Sequence, residues 1–362
     1  MFFSRFSKQR IVGDQALFSA RHRMPTERKP LLHYQVLPPT KFMSVKSEVS
    51  RLVPLRFHRG LHRFAVVLAS SIFLLIIAGA LVTSEDAGLS VPDWPTSFGS
   101  IYKIPPMVGG VKFEHTHRMI AEAVGLLTIL FCVAAFRIDG RRWFRYLSLA
   151  AIGTVIAQGI LGGLTVLMYL PWYISSGHAA LGQTFFSLAV LMALYSGGGW
   201  IESVPERLSD EGTPSTRTLT LLSICAVYLQ LFFGAAFRHS GMSILPHLVN
   251  SVFVSAILVW TAIRVLSRYG QIASLRRPAG IMICLLLVQL GFGFAAYLTR
   301  LVWGKNAPQP LPRMVSTTVV HVAIGALLLA TCFVLEEQVR RHLLGKPSAA
   351  AERASARKAV SA

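Results

Sequence analysis

Eight long stretches almost free of charge decide what this chain can become. Residues 64–84 and 146–176, for example, contain no Asp, Glu, Lys or Arg. A helix of about 20 apolar residues spans the hydrocarbon core of a bilayer. Inside that core an open backbone has no water to bond to, so helices and closed barrels are the workable structures. Charged residues make up 14% of the chain, against about 25% in soluble domains, so soluble fold classes are excluded first. Spans are expected at 64–83, 118–136, 146–167, 178–196, 218–236, 247–264, 279–299 and 318–335. The fold class is all-α: a polytopic membrane protein with eight transmembrane helices.

The net charge of +20 would suggest nucleic acid in a soluble protein. Here Lys and Arg flank the spans, where the cytoplasmic bias and anionic lipid place them. The expected partner is membrane lipid, with no nucleic acid. With the N-terminus inside, the inner segments hold 29 Lys and Arg and the outer loops hold 6, with Arg118 at a helix mouth. The positive-inside rule then puts both termini in the cytoplasm, or in the matrix if the protein is mitochondrial.

The first 60 residues are basic and contain Pro30, Pro38, Pro39 and Pro54. They are expected to be a poorly ordered extension. Such a segment reads either as a mitochondrial transit peptide or as an over-extended start, since Met43 begins a compact lead-in. Composition favours the second reading. Cys132, Cys225, Cys284 and Cys332 all fall inside spans. They read as small apolar packing residues, without a disulfide framework or a CxxC site.

An internal repeat runs through the chain. Spans three, five and seven carry Gln-x-x-x-Gly as Gln158/Gly162, Gln230/Gly234 and Gln289/Gly293. The end of span one, 79–84, aligns with 234–239, and spans two, four, six and eight each open with a histidine. A four-helix unit used twice explains all three patterns. The expected division is an N-terminal bundle at 61–200, a polar linker at 201–217, a C-terminal bundle at 218–337 and a basic tail at 338–362. The bland reading of Gln-x-x-x-Gly is helix packing, with Gly allowing close approach and Gln bonding across helices.

Of 11 histidines, five sit on the inner side and six on the outer side. His117, His178, His247 and His321 start the even-numbered helices. A lone histidine there is more often a residue facing headgroups or water. Four at equivalent depth on alternate helices are different. Helices two and four can present His117 and His178 to one iron from opposite sides, and helices six and eight can do the same with His247 and His321. Imidazole is a normal axial ligand of haem iron, and bundle cores hold such cofactors. Gly177, Ala179, Ala180, Gly182, Ala323 and Gly325 leave room for a flat macrocycle.

Glu114 lies three residues before His117 and shares its helix face. It reads equally as a helix-start acid favoured by the dipole and as a carboxylate at a haem edge. Arg118 and Arg238 sit where haem propionates would emerge, or where headgroups would be anchored. The long first outer loop contains Gly88-Leu89-Ser90-Val91-Pro92-Asp93-Trp94-Pro95, a stiff turn able to cover the first bundle.

Together these residues resemble the haem A synthase family from about Leu61 to Glu337. The marks are the 88–95 loop, Glu114-His115-Thr116-His117-Arg118, Gln158-Gly159-Ile160-Leu161-Gly162-Gly163, and the histidines of spans four, six and eight. The resemblance implies two four-helix bundles related by a pseudo-twofold axis along the membrane normal. It implies a b-type haem on His247 and His321, and a catalytic site for the substrate haem O on Glu114, His117 and His178. It implies oxidation of the C8 methyl of haem O to a formyl group, giving haem A for cytochrome oxidase. Implied partners are haem O, haem A, haem O synthase, cytochrome oxidase assembly factors and an unidentified electron donor. The loop lacks the cysteine pair of many bacterial members, and no Arg follows His247. The expected location is the bacterial cytoplasmic membrane, with the mitochondrial inner membrane as the alternative. A competing function is a di-haem b-type cytochrome passing electrons to or from quinol. A repeat-built transporter would need charged or broken helices near the midplane.

Overall fold

The computed structural model describes residues 56–344 except Glu206 and Glu211. The expected N-terminal extension up to Leu55, with Met43, and the tail beyond Leu344 lie outside the described residues.

Eight helices are long and apolar enough to cross a membrane. They are α1 (Arg59–Ser84), α2 (Val111–Ile138), α3 (Arg142–Leu167), α4 (Trp172–Ser196), α5 (Thr216–Arg238), α6 (Leu245–Tyr269), α7 (Ala273–Tyr297) and α8 (Pro312–His342). A π-helical turn, Leu298–Val302, continues α7. Each expected span lies within one of these helices or overruns its end by at most two residues, but most helices run further. α1 begins with Arg59, capped by the His58 side chain, which accepts the Leu61 amide at 3.1 Å. α2 begins seven residues before the expected 118, and α8 continues through Arg340 and Arg341 to His342. The end turns of these helices carry charge, so an uncharged run stops before the helix does. The linker is therefore shorter than 201–217. It starts after a one-turn helix, Gly198–Ile201, and ends at Ser215, whose hydroxyl caps α5.

The helices pack in two equivalent cycles. α1 lies on α2, α2 on α3, α3 on α4, and α4 on α1; α5 to α8 repeat that order. α8 also packs on α1 and α4, and α4 on α5. Each cycle has its own apolar core, one around Phe131, Phe144, Phe185 and Met192, the other around Leu258, Leu275, Met282 and Leu335. Val252, Leu287 and Phe294 face outward, 64–68% exposed, which suits lipid rather than water.

Both cores lie toward the helix ends opposite the paired histidines, and bulky aromatic and aliphatic residues fill them. The histidine halves carry glycine and alanine beside the rings. At the end opposite the histidines a two-stranded parallel pairing joins 208–209 to 343–344. Beside it, the buried Asp210 accepts the Thr216 amide at 2.6 Å and the Tyr269 hydroxyl at 3.2 Å.

Candidate functional site

The four helix-borne histidines meet in two pairs. The rings of His117 (α2) and His178 (α4) have centroids 6.5 Å apart with planes at 83°. Those of His247 (α6) and His321 (α8) are 6.1 Å apart at 79°. None is the first residue of its helix. His117 and His178 lie in the second turn, and His321 is the tenth residue of α8. His247 is the third residue of α6 and so sits nearer its helix start than the other three.

One local device seats all four rings. Each imidazole lies on a glycine of the preceding helix. A β-carbon at Gly79, Gly162, Gly234 or Gly293 would come within 3.0, 3.2, 2.9 or 2.9 Å of the Cε1 of His117, His178, His247 or His321 respectively. Four residues before each glycine stands Leu75, Gln158, Gln230 or Gln289. The glutamine amides reach the other way. A β-carbon at Gly182 would come 3.0 Å from the Gln158 amide nitrogen, and one at Gly325 would come 3.2 Å from that of Gln289. The Gln230 amide donates to the His247 carbonyl at 3.0 Å, and its oxygen accepts from Asn250 at 2.9 Å. Gln-x-x-x-Gly is thus a packing motif, as its bland reading holds, and the object packed is the histidine.

The second pair is further fixed through its Nδ1 atoms. His247 Nδ1 donates to the Gln230 carbonyl and His321 Nδ1 to the Gln289 carbonyl, both at 3.2 Å. A carbonyl only accepts, so Nδ1 holds the proton and each Nε2 keeps its lone pair. Those lone pairs meet the Gln230 and Gln289 amides at 3.3 and 3.4 Å. In the first pair the Leu75 and Gln158 carbonyls face His117 and His178. These carbonyls are the acceptors available to the buried Nδ1 atoms of the first pair.

Glu114 is 4% exposed in the first turn of α2. One carboxylate oxygen accepts the Val91 amide at 2.8 Å, and the other pairs with Arg118 at 2.7 Å. Arg118 also donates to the carbonyls of Asp93, Thr96 and Val91 at 2.7, 3.0 and 3.1 Å. Both residues therefore hold the loop after α1 down over α2. Asp93 ties the loop to itself, accepting the Phe98 and Gly99 amides at 2.7 and 2.8 Å and the Thr96 hydroxyl. Burial pushes against its charge, but these bonds together hold its carboxyl below the usual range. Trp94 packs on Gly163, next to the glycine that seats His178. Arg238 reaches across to the end of α1, donating to the Ala80 carbonyl at 2.7 Å and to Ser84 at 2.6 Å. His239, just beyond α5, is pushed down to about 4 by burial and by the neighbouring Arg238, His178 and Arg300, so it is neutral near pH 7.

The remaining titratable groups are structural or unassigned. His62 binds the Ala193 carbonyl at 3.1 Å, and His342 meets Ser274 at 2.8 Å. Cys132 and Cys332 are buried and all four cysteines are free. Two hollows, of about 330 and 560 Å³, lie at α1/α8 and at α4/α7/α8, and no paired histidine lines either. Among the described residues, no group of three or more His, Cys, Asp and Glu can hold a bare metal ion. Sequence reasoning missed the Leu75/Gly79 seat, because leucine stands in the glutamine position. It also passed over Glu122, an exposed acid inside α2, although an ionisable residue within a span is itself a signal.

Residues 111–245, from the start of α2 to the start of α6, match the cytochrome oxidase assembly protein model COX15-CtaA. This segment carries Glu114, His117 and His178 in full. Over that segment the chain is similar to the family. Among its bacterial relatives, the "Heme A synthase" of Shouchella clausii is 31% identical over 137 residues, 37% of this chain and 45% of the relative. That of Alkalihalophilus pseudofirmus is 23% identical over 51% of this chain and 61% of the relative. That of Halalkalibacterium halodurans is 22% identical over 67% of this chain and 88% of the relative. The first two matches thus span about half to three-fifths of the relatives they align with.

Proposed function

We propose that this chain is a haem A synthase, which oxidises the ring methyl of haem O to a formyl group by successive hydroxylations. The observation that carries this reading is the pair of facing imidazoles, formed twice. A transition metal binds imidazole nitrogen at about 2.0–2.1 Å, so two rings sharing one ion stand with centroids about 6 Å apart. That spacing also suits an edge-to-face ring contact. What distinguishes these rings is their setting: a tailored glycine seat under each, and two of them with Nε2 left as the only nitrogen lone pair. Each pair offers two ligands, and among the described residues no third His, Cys, Asp or Glu completes a bare-ion site. A tetrapyrrole brings its own four nitrogens, so the residues present fit haem.

His247 and His321 would hold a b-type haem, and His117 and His178 the substrate haem O. When bound, the iron supplies the redox chemistry, with electrons and oxidant delivered from outside the chain. The protein's part is to orient and to exclude water. The paired histidines fix the plane and height of the substrate ring. The first outer loop, pinned by Arg118 and Trp94, closes the outer end of the first site. Glu114 places a fixed negative charge one turn from His117, where it can stabilise positive charge developing beside the ring and accept a proton as the hydroxyl forms. Position 244, the matching place before His247, is Ile, so the second half has no such group. The positive-inside count places the histidine ends of the helices outside, with both termini in the cytoplasm of a bacterium. Haem O synthase and cytochrome oxidase assembly factors are the partners that such a reaction needs.

The test is to express the chain in cells that make haem O but no haem A, and to chromatograph the extracted pigments. Haem A should appear. Haem O alone, beside a purified protein carrying two b-type haems, would favour the electron-transfer cytochrome.

A further inference from the structure

The larger hollow, of about 560 Å³, opens where the two helix cycles adjoin, toward the helix ends opposite the paired histidines. α8 packs on both α4 and α7 and forms its floor, while α4 and α7 meet little directly and form its walls. The lining changes character with depth. At the mouth stand Ser274 and Arg277, in the first turns of α7, and Gln338, near the end of α8. Deeper along the same helices it is lined by Phe186, Ile281 and Leu327. Two polar groups at the mouth are left over by the fold. Gln338 is 8% exposed, yet its amide oxygen makes no hydrogen bond. The exposed Arg277 guanidinium has no ion pair or hydrogen bond among the described residues, and no described Asp or Glu lines the hollow.

Water would satisfy the mouth of this hollow but not its apolar depth. A bare acyl chain would satisfy the depth and leave Arg277 and Gln338 unmet. A phospholipid satisfies both, with its phosphate at the helix ends and a chain along the walls. The cation and the amide narrow the headgroup. A zwitterionic headgroup carries its own ammonium, which competes with Arg277 for the phosphate. A glycerol headgroup has no cation, and its free hydroxyls can donate to an amide oxygen. Basic pockets between spanning helices are places where anionic headgroups bind. We propose that the α4/α7/α8 hollow is a binding site for one anionic phospholipid of the phosphatidylglycerol class. Arg277 holds the phosphate, and the Gln338 amide turns about its last side-chain bond to meet a headgroup hydroxyl. An acyl chain runs along Phe186, Ile281 and Leu327. The lipid fills the gap that α4 and α7 leave over α8 and so ties the two cycles together. This inference stands apart from the haem reading and does not need it.

The experiment titrates the full-length protein in detergent with phosphatidylglycerol or with phosphatidylcholine of the same acyl chains, and follows bound lipid by native mass spectrometry. The first phosphatidylglycerol should bind at least about 5-fold more tightly than phosphatidylcholine, the weight of one basic residue at a headgroup. Arg277→Ala should abolish that preference and Arg277→Lys should keep most of it. Gln338→Leu should weaken phosphatidylglycerol by about 5-fold, as loss of one hydrogen bond does. Ile281→Trp, at a half-exposed wall position, should fill the hollow and abolish the first binding event for either lipid. Arg313→Ala, an exposed arginine at the opposite end of α8, should change nothing. Inorganic phosphate at the same concentrations should not displace the lipid. Equal affinity for the two lipids in the unaltered protein would overturn the proposal without needing any variant to fold. So would an undiminished preference in both Arg277→Ala and Ile281→Trp. Displacement by inorganic phosphate would overturn the lipid as the ligand.

Discussion

The Trp94 indole lies against Gly163, the residue beside the glycine that seats His178. Two consecutive glycines on α3 thus carry two different loads, a loop tryptophan and a helix histidine. A β-carbon at Gly163 would overlap the indole ring, and overpacking of this kind costs about 1–3 kcal/mol. Gly163→Ala should therefore loosen the first outer loop. Limited trypsin digestion at the exposed Lys103 should speed up roughly 5- to 100-fold, while Gly159→Ala, where a β-carbon meets nothing, should change little.

Arg118 and Glu114 can be separated by variants. Arg118→Ala leaves the buried Glu114 carboxylate without its cation, and breaking a buried pair costs about 3–5 kcal/mol. It should lower the melting temperature in detergent and open the loop to trypsin. Glu114→Gln keeps an acceptor for the Val91 amide and should leave the loop closed. If Glu114 also works on the substrate, the same variant should lose haem A production by about 100-fold or more while retaining the loop. Normal haem A yield from Glu114→Gln would confine Glu114 to holding the loop.

The loop should tolerate acid. Asp93 has a depressed folded-state pKa, so its contribution is present above the ordinary carboxylate pKa and is lost only as pH falls through the lower, folded value. Loop protection, followed by hydrogen exchange of the Phe98 and Gly99 amides, should stay constant from neutral pH to about pH 5 and fall only below the usual carboxylate range. Asp93→Asn should show weaker protection with no such step. A step near pH 6 would place the controlling group elsewhere.

At the helix ends opposite the paired histidines, Asp210 joins the linker to α5 and α6 through Thr216 and Tyr269. Asp210→Ala strips a buried acceptor from both and should cost about 1–3 kcal/mol, read as a lower melting temperature. Haem content per folded molecule should be unchanged, because the histidine pairs lie at the opposite ends of the helices.

The eight helices were legible because uncharged runs of this length have one stable solution in a bilayer. Their ends were not, because Arg59, Lys112 and Arg340 lie within helical turns at the interface, where charge is tolerated. The pairing of His117 with His178 and of His247 with His321 was legible from the repeat, which places equivalent residues on alternate helices. The glycine seats were half legible. Gln-x-x-x-Gly marked three of them, but sequence could not say what the glycine approached, and Leu75 hid the fourth. The spacing of Glu114 and Arg118 announced an ion pair, whereas the loop carbonyls they also bind depend on the path of residues 91–96 through space. The Nδ1 bonds to Gln230 and Gln289 use main-chain oxygens, which leave no trace in side-chain identity.

The proposed function gives the two histidine pairs different work. The most direct measurement compares haem content and haem A yield in two double variants, His117→Ala/His178→Ala and His247→Ala/His321→Ala, expressed with a haem O supply. The first should purify with its b-type haem and make no haem A. The second should lose the b-type absorbance. If the first variant still makes haem A, or if the second retains an unchanged b-type spectrum, the division of labour between the two pairs is contradicted.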